Sequence, residues 1–371
     1  MIAPAEAVMR TTAKRTVKRS IAFRAGRRAF ITATVIAAML AAQRTPALAD
    51  EGGVSFWLPG FFGSLAAAPQ VPGWSLATIY YHTSVSAGAD VAFARQVAPG
   101  RLNVNFTGNI TASLNGDADM GVAIPQYVFA QPVLGGQAAV ALVVPAGHGR
   151  ASVDAALTGN LGLGGPGFAV GGSRTDDVTG FGDLIPQISL RWNSGVHSWM
   201  TYATGDIPVG AYDPTRLVNL GIGHGAVDFG GGYTYFNPQT GHELSGVLGF
   251  TYNTSNPDTQ YQNGVDMHFD WGMSQFLTKQ LQIGLVGYAY QQLSCDSGTG
   301  DRVGCFESRV LGIGPQIGYV IPMGDHRGYL NLKAYKEFDA DHRADGWNLW
   351  LTFAISPAAP TPAAPSHLIT K

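Results

Sequence analysis

Apolar and polar side chains take turns along most of this chain, and the repeat is two residues. In residues 102–114, Leu102, Val104, Phe106, Ile110 and Leu114 alternate with Asn103, Asn105, Thr107, Asn109, Thr111 and Ser113. A helix would spread such a repeat over every face, whereas a strand sends the two sets to opposite sides. The same segregation recurs in residues 184–193, 265–274, 330–338 and 347–356. It predicts about fourteen strands: 74–84, 101–114, 118–132, 136–146, 151–161, 181–193, 196–209, 226–237, 242–253, 264–277, 281–293, 308–321, 328–338 and 345–356. Twelve is the alternative if 74–84 or 151–161 does not join the sheet. Short connections at 193–195, 238–241, 278–280 and 322–327 alternate with longer ones at 210–225, 254–263, 294–307 and 339–344.

Composition decides what kind of strand protein this is. Only 13% of residues are charged, against roughly a quarter in a soluble domain, while 46% are hydrophobic. Yet no apolar run reaches the ~18 residues a membrane helix needs. A soluble β-sandwich also alternates, but many of these strands exceed the ~5–6 residues common in soluble sheets. Aromatic residues also gather near strand ends, including Tyr80, Tyr81, Trp192, Trp199, Tyr252, Trp271, Tyr288, Tyr290, Trp347 and Trp350, where interfacial girdles need them. The fold expected is therefore all-β: an antiparallel transmembrane β-barrel of the bacterial outer membrane at residues 74–356, with short turns on the periplasmic side. Outer-membrane lipid and lipopolysaccharide would surround it.

Charge separates the leader from the rest. Residues 1–49 hold nine of the basic side chains and a single acid, Glu6, leaving 14 basic against 24 acidic residues. The apolar core at 29–42 is too short to span a bilayer, and Ala47-Leu48-Ala49 follows it. This is the pattern of a signal peptide cleaved after Ala49. An acidic mature chain argues against a nucleic-acid partner. Cys295 and Cys305 sit in the Ser/Asp/Gly-rich run SCDSGTGDRVGC, and an exported chain would join them as a loop disulfide. Residues 50–73 carry Phe56, Trp57, Phe61 and Phe62 broken by Gly and Pro. They are too irregular for a strand and too apolar for a free tail, so they are expected to form a lumen plug or a periplasmic lid. Residues 357–371 read as a disordered Pro/Ala-rich tail.

Several segments are similar to one family when taken in order: TGFGDLIPQ (179–187), YDPTRLVNLG (212–221), NPDTQYQNGVDMHFDW (256–271), GLVGYAYQQLSCDSG (284–298), 309–320 and YLNLKAYKEFDADHR (329–343). From about residue 51 to 356 the chain resembles the phenol-degradation meta-pathway family of exported proteins, whose relatives include a sphingosine-binding outer-membrane protein. The resemblance implies an outer-membrane barrel linked to uptake of aromatic or other hydrophobic molecules, and it supplies no catalytic residues. Phe353 ends the last strand but not the chain, so the terminal aromatic that many barrels show their assembly machinery is displaced.

Motifs for other chemistry dissolve on inspection. Residues 162–167 match G-x-G-x-x-G, but Pro166 and Gly171-Gly172 deny the helix a dinucleotide fingerprint needs. Asp266, His268 and Asp270 share a strand face. Their ~6–7 Å spacing suits a polar lumen better than a metal site. Asp339, Asp341, His342 and Asp345 read as a solvated acidic loop. Scattered Ser and His residues form no nucleophile motif, so neither an enzyme nor a cofactor is expected. The candidate lumen residues are Arg191, Tyr233, Tyr235, Asp266, His268, Asp270, Tyr288, Tyr290, Lys333, Tyr335 and Glu337. They would line a path for passive uptake of small hydrophobic or aromatic solutes, phenol-like or long-chain lipid. The alternative is a non-transporting lipid-binding or structural barrel.

Overall fold

The computed structural model describes residues 55–88, 107–160, 167–301, 304–305 and 307–359. The expected leader, its cleavage point, most of the glycine motif at 162–167 and the tail from residue 360 lie outside them. Thirteen strands follow one another: β1 (Gly73–Ala87), β2 (Thr107–Val133), β3 (Gly136–Asn160), β4 (Gly167–Phe181), β5 (Ile185–Ser194), β6 (His197–Asp206), β7 (Ala226–Phe236), β8 (His242–Asn253), β9 (Asp266–Phe276), β10 (Leu281–Gln292), β11 (Arg309–Met323), β12 (His326–Asp341) and β13 (Asp345–Pro357). Every pairing is antiparallel, and β13 returns to pair with β1. β1 pairs with β2, β2 with β3, and β3 with β5, which closes the circuit.

The closed barrel has twelve strands, with β4 standing outside it. Fourteen was an overcount with a local cause. Residues 101–114 and 118–132 belong to the single strand β2 as far as they are described, and 136–146 and 151–161 to β3. Asn115-Gly116-Asp117 and Gly147-His148-Gly149 look like turns, but both lie within regular pairing. Twelve therefore arises by fusion of neighbours rather than by loss of 74–84 or 151–161. β4 and β5 pair with successive halves of β3, Ala146 facing Phe181 and Val143 facing Ile185. The chain slips by one residue at 182–184, where Gly182 N–H still reaches the Pro145 carbonyl at 2.9 Å.

Residues on alternate faces meet different surroundings. Outward positions of β8–β13 include Leu248, Phe250, Phe269, Met273, Leu285, Ile317, Leu332 and Leu351, all exposed. Register places Leu248 beside Phe269, Leu285 beside Met273, and Ile317 and Leu351 on either side of Leu332. A soluble monomer rarely shows a continuous apolar wall of this size, but acyl chains accept it. Strands β5–β10 run 10–12 residues, near the ~9–11 a tilted crossing requires. Inward positions mix polar and aromatic side chains with aliphatic ones such as Val122, Val143, Met200, Val247 and Val286. Trp74, Tyr80, Trp199, Tyr252 and Trp347 face outward and exposed. Tyr81, Tyr288, Tyr290 and Trp350, by contrast, are buried inside, so not every strand-end ring belongs to a girdle.

Candidate functional site

Residues 55–72 lie within the barrel and form no strand of their own before β1. Their peptide groups bond to side chains of the wall, because a peptide group buried away from water must find some partner. Asp270 on β9 accepts from Gly60 N–H at 2.9 Å and Phe62 N–H at 3.1 Å. Lys333 on β12 donates to the Gly60 carbonyl at 2.6 Å and to those of Phe61 and Phe62 at 3.3 Å. A carboxylate and an ammonium thus grip one three-residue stretch by its opposite polarities. Further along, Glu243 on β8 accepts from Leu65 N–H at 2.8 Å, and Thr234 on β7 from Ala67 N–H at 3.0 Å. The Gln70 N–H donates to the side-chain oxygen of Gln137 on β3 at 3.0 Å, the Gln137 amide nitrogen donates back to the Gln70 carbonyl at 2.6 Å, and Arg191 on β5 donates to the Gln70 side chain at 3.1 Å.

Aromatic packing supplements these bonds. Trp57 lies stacked on His268 with ring centroids 3.8 Å apart and also meets Phe61, Phe62 and Tyr202. Beneath it His268 Nε2 contacts Asp228 at 3.0 Å, and Thr251 donates to the same carboxylate at 2.7 Å. Gly60 has a φ of +88°, and a Cβ there would come within 3.0 Å of the Tyr335 ring. Alanine at this position meets both a backbone penalty of ~1–2 kcal/mol and the ring. Gly60→Ala is therefore expected to loosen the segment, read as faster chymotrypsin cleavage at Phe61 and Phe62 in the folded barrel. Unchanged protection would show that this approach carries no constraint.

Other inward residues bond to one another across neighbouring strands. Tyr290 donates to Asp266 at 2.8 Å, and Asn253 to the same carboxyl at 2.9 Å. Tyr288 donates to Glu337 at 2.8 Å, while Asn348 donates to Tyr288 at 2.9 Å. Of the candidates read from sequence, Arg191, Asp266, His268, Asp270, Tyr288, Tyr290, Lys333, Tyr335 and Glu337 all face inward. Tyr233 and Tyr235 do not. Thr234 between them is the buried inward residue, and Tyr233 bonds His197 at 2.7 Å on the outer face beside exposed Trp199. Gly230-Gly231-Gly232 erases the alternation just ahead of them, so the sequence could not assign their side. Asp206, Asp228, Glu243, Gln316, Asn348 and Trp350 were missed. Counting every second residue along β6–β8, β11 and β13 would have placed them inward.

The segment separates two cavities. One of about 310 Å³ lies toward the long connections, lined by Phe56, Trp57, Phe61, Leu114, Met120, Val122 and Val143 among others. A second of about 310 Å³ lies at the short-turn rim, between Gln70, Gly135, Arg191 and Trp192. Residues 210–225 pack over the first. Asp183 fixes them to the wall, accepting from Gly210 and Ile222 N–H groups at 2.7 Å each. Within this loop, hydrogen bonds from Thr215, the hydroxyl first and then the backbone, hold the Asp213 carboxyl below the usual carboxylate range. Asn256 in the next loop donates to Tyr212 at 2.8 Å. A disulfide joins Cys295 and Cys305 in the β10–β11 connection.

A closed antiparallel barrel with an apolar outer wall, a polar lumen and long loops at one rim only is an outer-membrane β-barrel. Residues 99–353 match the family described as "Putative MetA-pathway of phenol degradation", and the chain belongs to it. Among solved structures, an outer membrane channel from Pseudomonas putida F1 aligns with a TM-score of 0.55 at 13% identity, covering 80% of this chain and 98% of that one. The transport unit of the autotransporter AIDA-I from Escherichia coli aligns at 0.36 and 7% identity over 81% and 94% of the two chains. The translocator domain of autotransporter NalP from Neisseria meningitidis reaches 0.31 and 10% identity over 79% and 91%. Of these three, the first is similar enough to show a shared fold. No curated protein matches the chain.

Proposed function

We propose that this barrel is a passive outer-membrane channel for small hydrophobic or aromatic compounds, with residues 55–72 as its plug. The observation that carries this is the aromatic-lined cavity on the outer side of the segment. A lumen built only to admit water would have no use for Phe56, Trp57, Phe61, Leu114 and Val122 on one wall. The sugar-rich outer leaflet slows apolar molecules, and an apolar chamber inside the barrel would lower that barrier without an energy source. The Pseudomonas putida channel of the same fold accords with this reading, and so does the phenol-degradation description of the family. Cleavage after Ala49, delivery by the barrel-assembly machinery and contact with lipopolysaccharide complete the proposal.

The test is uptake of labelled phenol at limiting concentration by cells with and without the protein, paired with flux into proteoliposomes. Faster uptake in both is expected; equal rates would refute the channel. The gripped segment favours one second reading, a closed barrel that binds solute without passing it. Saturable binding with no flux would establish that instead.

A further inference from the structure

We infer that the cavity at the short-turn rim is a binding site for an apolar carboxylate whose head group is held by Arg191. The site is separate from the outer cavity and does not depend on what crosses the barrel. Arg191 lines it together with Pro69, Gln70, Phe129, Pro132, Gln137 and Trp192. Nη1 of its guanidinium donates to Gln70 Oε1 at 3.1 Å and to Ser189 Oγ at 2.7 Å, both neutral acceptors. Nε is buried without an acceptor, whereas Nη2 is not closed off and has no partner among the described residues. Arg174, Arg216 and Arg309 each stand beside a carboxylate, those of Asp176, Asp213 and Asp339. Arg191 has no such partner among the described residues, and none of the described residues lining the cavity is acidic.

The other side-chain donors on this lining are spent. Gln137 donates to the Gln70 carbonyl at 2.6 Å, Gln70 to Gln126 at 3.0 Å, Trp192 to the Leu134 carbonyl at 3.2 Å and Asn193 to the His197 carbonyl at 3.1 Å. Arg191 Nη2 is therefore the side-chain donor left for a ligand, and it carries a charge. Water hydrates such a group but returns no opposite charge. A guanidinium walled by Phe129, Pro132 and Trp192 gains more from an anion, through a charge-assisted bond in a poorly hydrated place. One cation matches one negative charge. A doubly charged phosphate would need a second cation, and no other basic side chain lines the cavity among the described residues. The remaining walls are carbon, so the body of the anion is apolar. A carboxylate on a hydrocarbon body meets both conditions, and a neutral compound of the same shape meets only the second.

The experiment uses the full-length chain refolded in detergent and equilibrium dialysis of radiolabelled cyclohexanecarboxylate and cyclohexanecarboxamide at neutral pH, with empty micelles as the blank. The two probes share a shape and differ in charge. Wild type is expected to hold the carboxylate at least roughly tenfold more tightly than the amide. Arg191→Met, which keeps an apolar stem, should erase that preference. Arg191→Lys, which keeps the charge without the planar fork, should retain part of it. Inorganic phosphate is expected to displace the carboxylate poorly; displacement at equal concentration would overturn the carboxylate assignment in favour of a phosphate-bearing ligand. Heat-modifiable gel migration checks that each variant forms a barrel, and the wild-type comparison needs no variant. Equal affinities for acid and amide in wild type, or a preference that survives Arg191→Met in a folded barrel, would overturn the inference. Phenol flux is measured separately, so either result leaves the channel reading where it stands.

Discussion

Replacing Asp270 by alanine is expected to unlock the barrel and to raise its ionic conductance by at least roughly tenfold. The carboxylate is the acceptor for two buried N–H groups, those of Gly60 and Phe62. Stranding each costs about 1–3 kcal/mol, and a shift of 1.4 kcal/mol already moves a docking equilibrium tenfold. Lys333 would then hold the carbonyls of Gly60–Phe62 without the opposing carboxylate, in a wall where unbalanced charge is expensive. Planar-bilayer recording of single barrels gives the readout. Asp270→Asn keeps one acceptor oxygen and should fall between wild type and alanine. Conductance that is identical in all three would show that this grip does not hold the segment in place.

The second large effect is expected from Trp57→Ala. This ring is 5% exposed and packs on His268, Tyr202, Phe61 and Phe62 at once. Truncating a buried tryptophan typically costs 3–5 kcal/mol. Here the loss falls on the docked segment, since the wall keeps its own ladder of backbone bonds. Chymotrypsin should cleave at Phe61 and Phe62 while the barrel itself resists and keeps its heat-modifiable migration. Combining the change with Asp270→Ala should add little, because both act on one docked state and an undocked segment has nothing more to lose. Additive conductance would mean that the two residues secure separate parts of the chain.

What could be read beforehand followed the membrane. On β9 and β12, lipid on one side and lumen on the other force strict alternation. Asp266, His268, Asp270, Lys333 and Glu337 were therefore legible as inward residues. Where that cause fades, so does the signal. β4 carries Ser173, Arg174, Thr175, Asp176 and Asp177 in succession and stands outside the closed barrel, where neither face is forced to be apolar. For that reason the alternation predicts no strand between 161 and 181. Glycine runs blurred β7, and turn-like residues inside β2 and β3 broke each strand in two. Trp350 read as a girdle ring because an aromatic suits both an interface and a packed lumen. Arg191 was placed by parity, but its lack of a carboxylate partner was not legible, since partners across a barrel are set by closure.

The manner in which residues 55–72 are held also dictates a timetable. Each of their grips comes from wall strands up to 275 positions later in the chain, as with Tyr335 and Gly60. Contacts of such long range form late, after the loop between them has been closed. Residues 55–72 can thus be gripped only once β7, β8, β9 and β12 have been laid into the wall. A barrel whose wall is complete before residues 55–72 have docked would pass through a leaky interval, which ends when that segment settles inside.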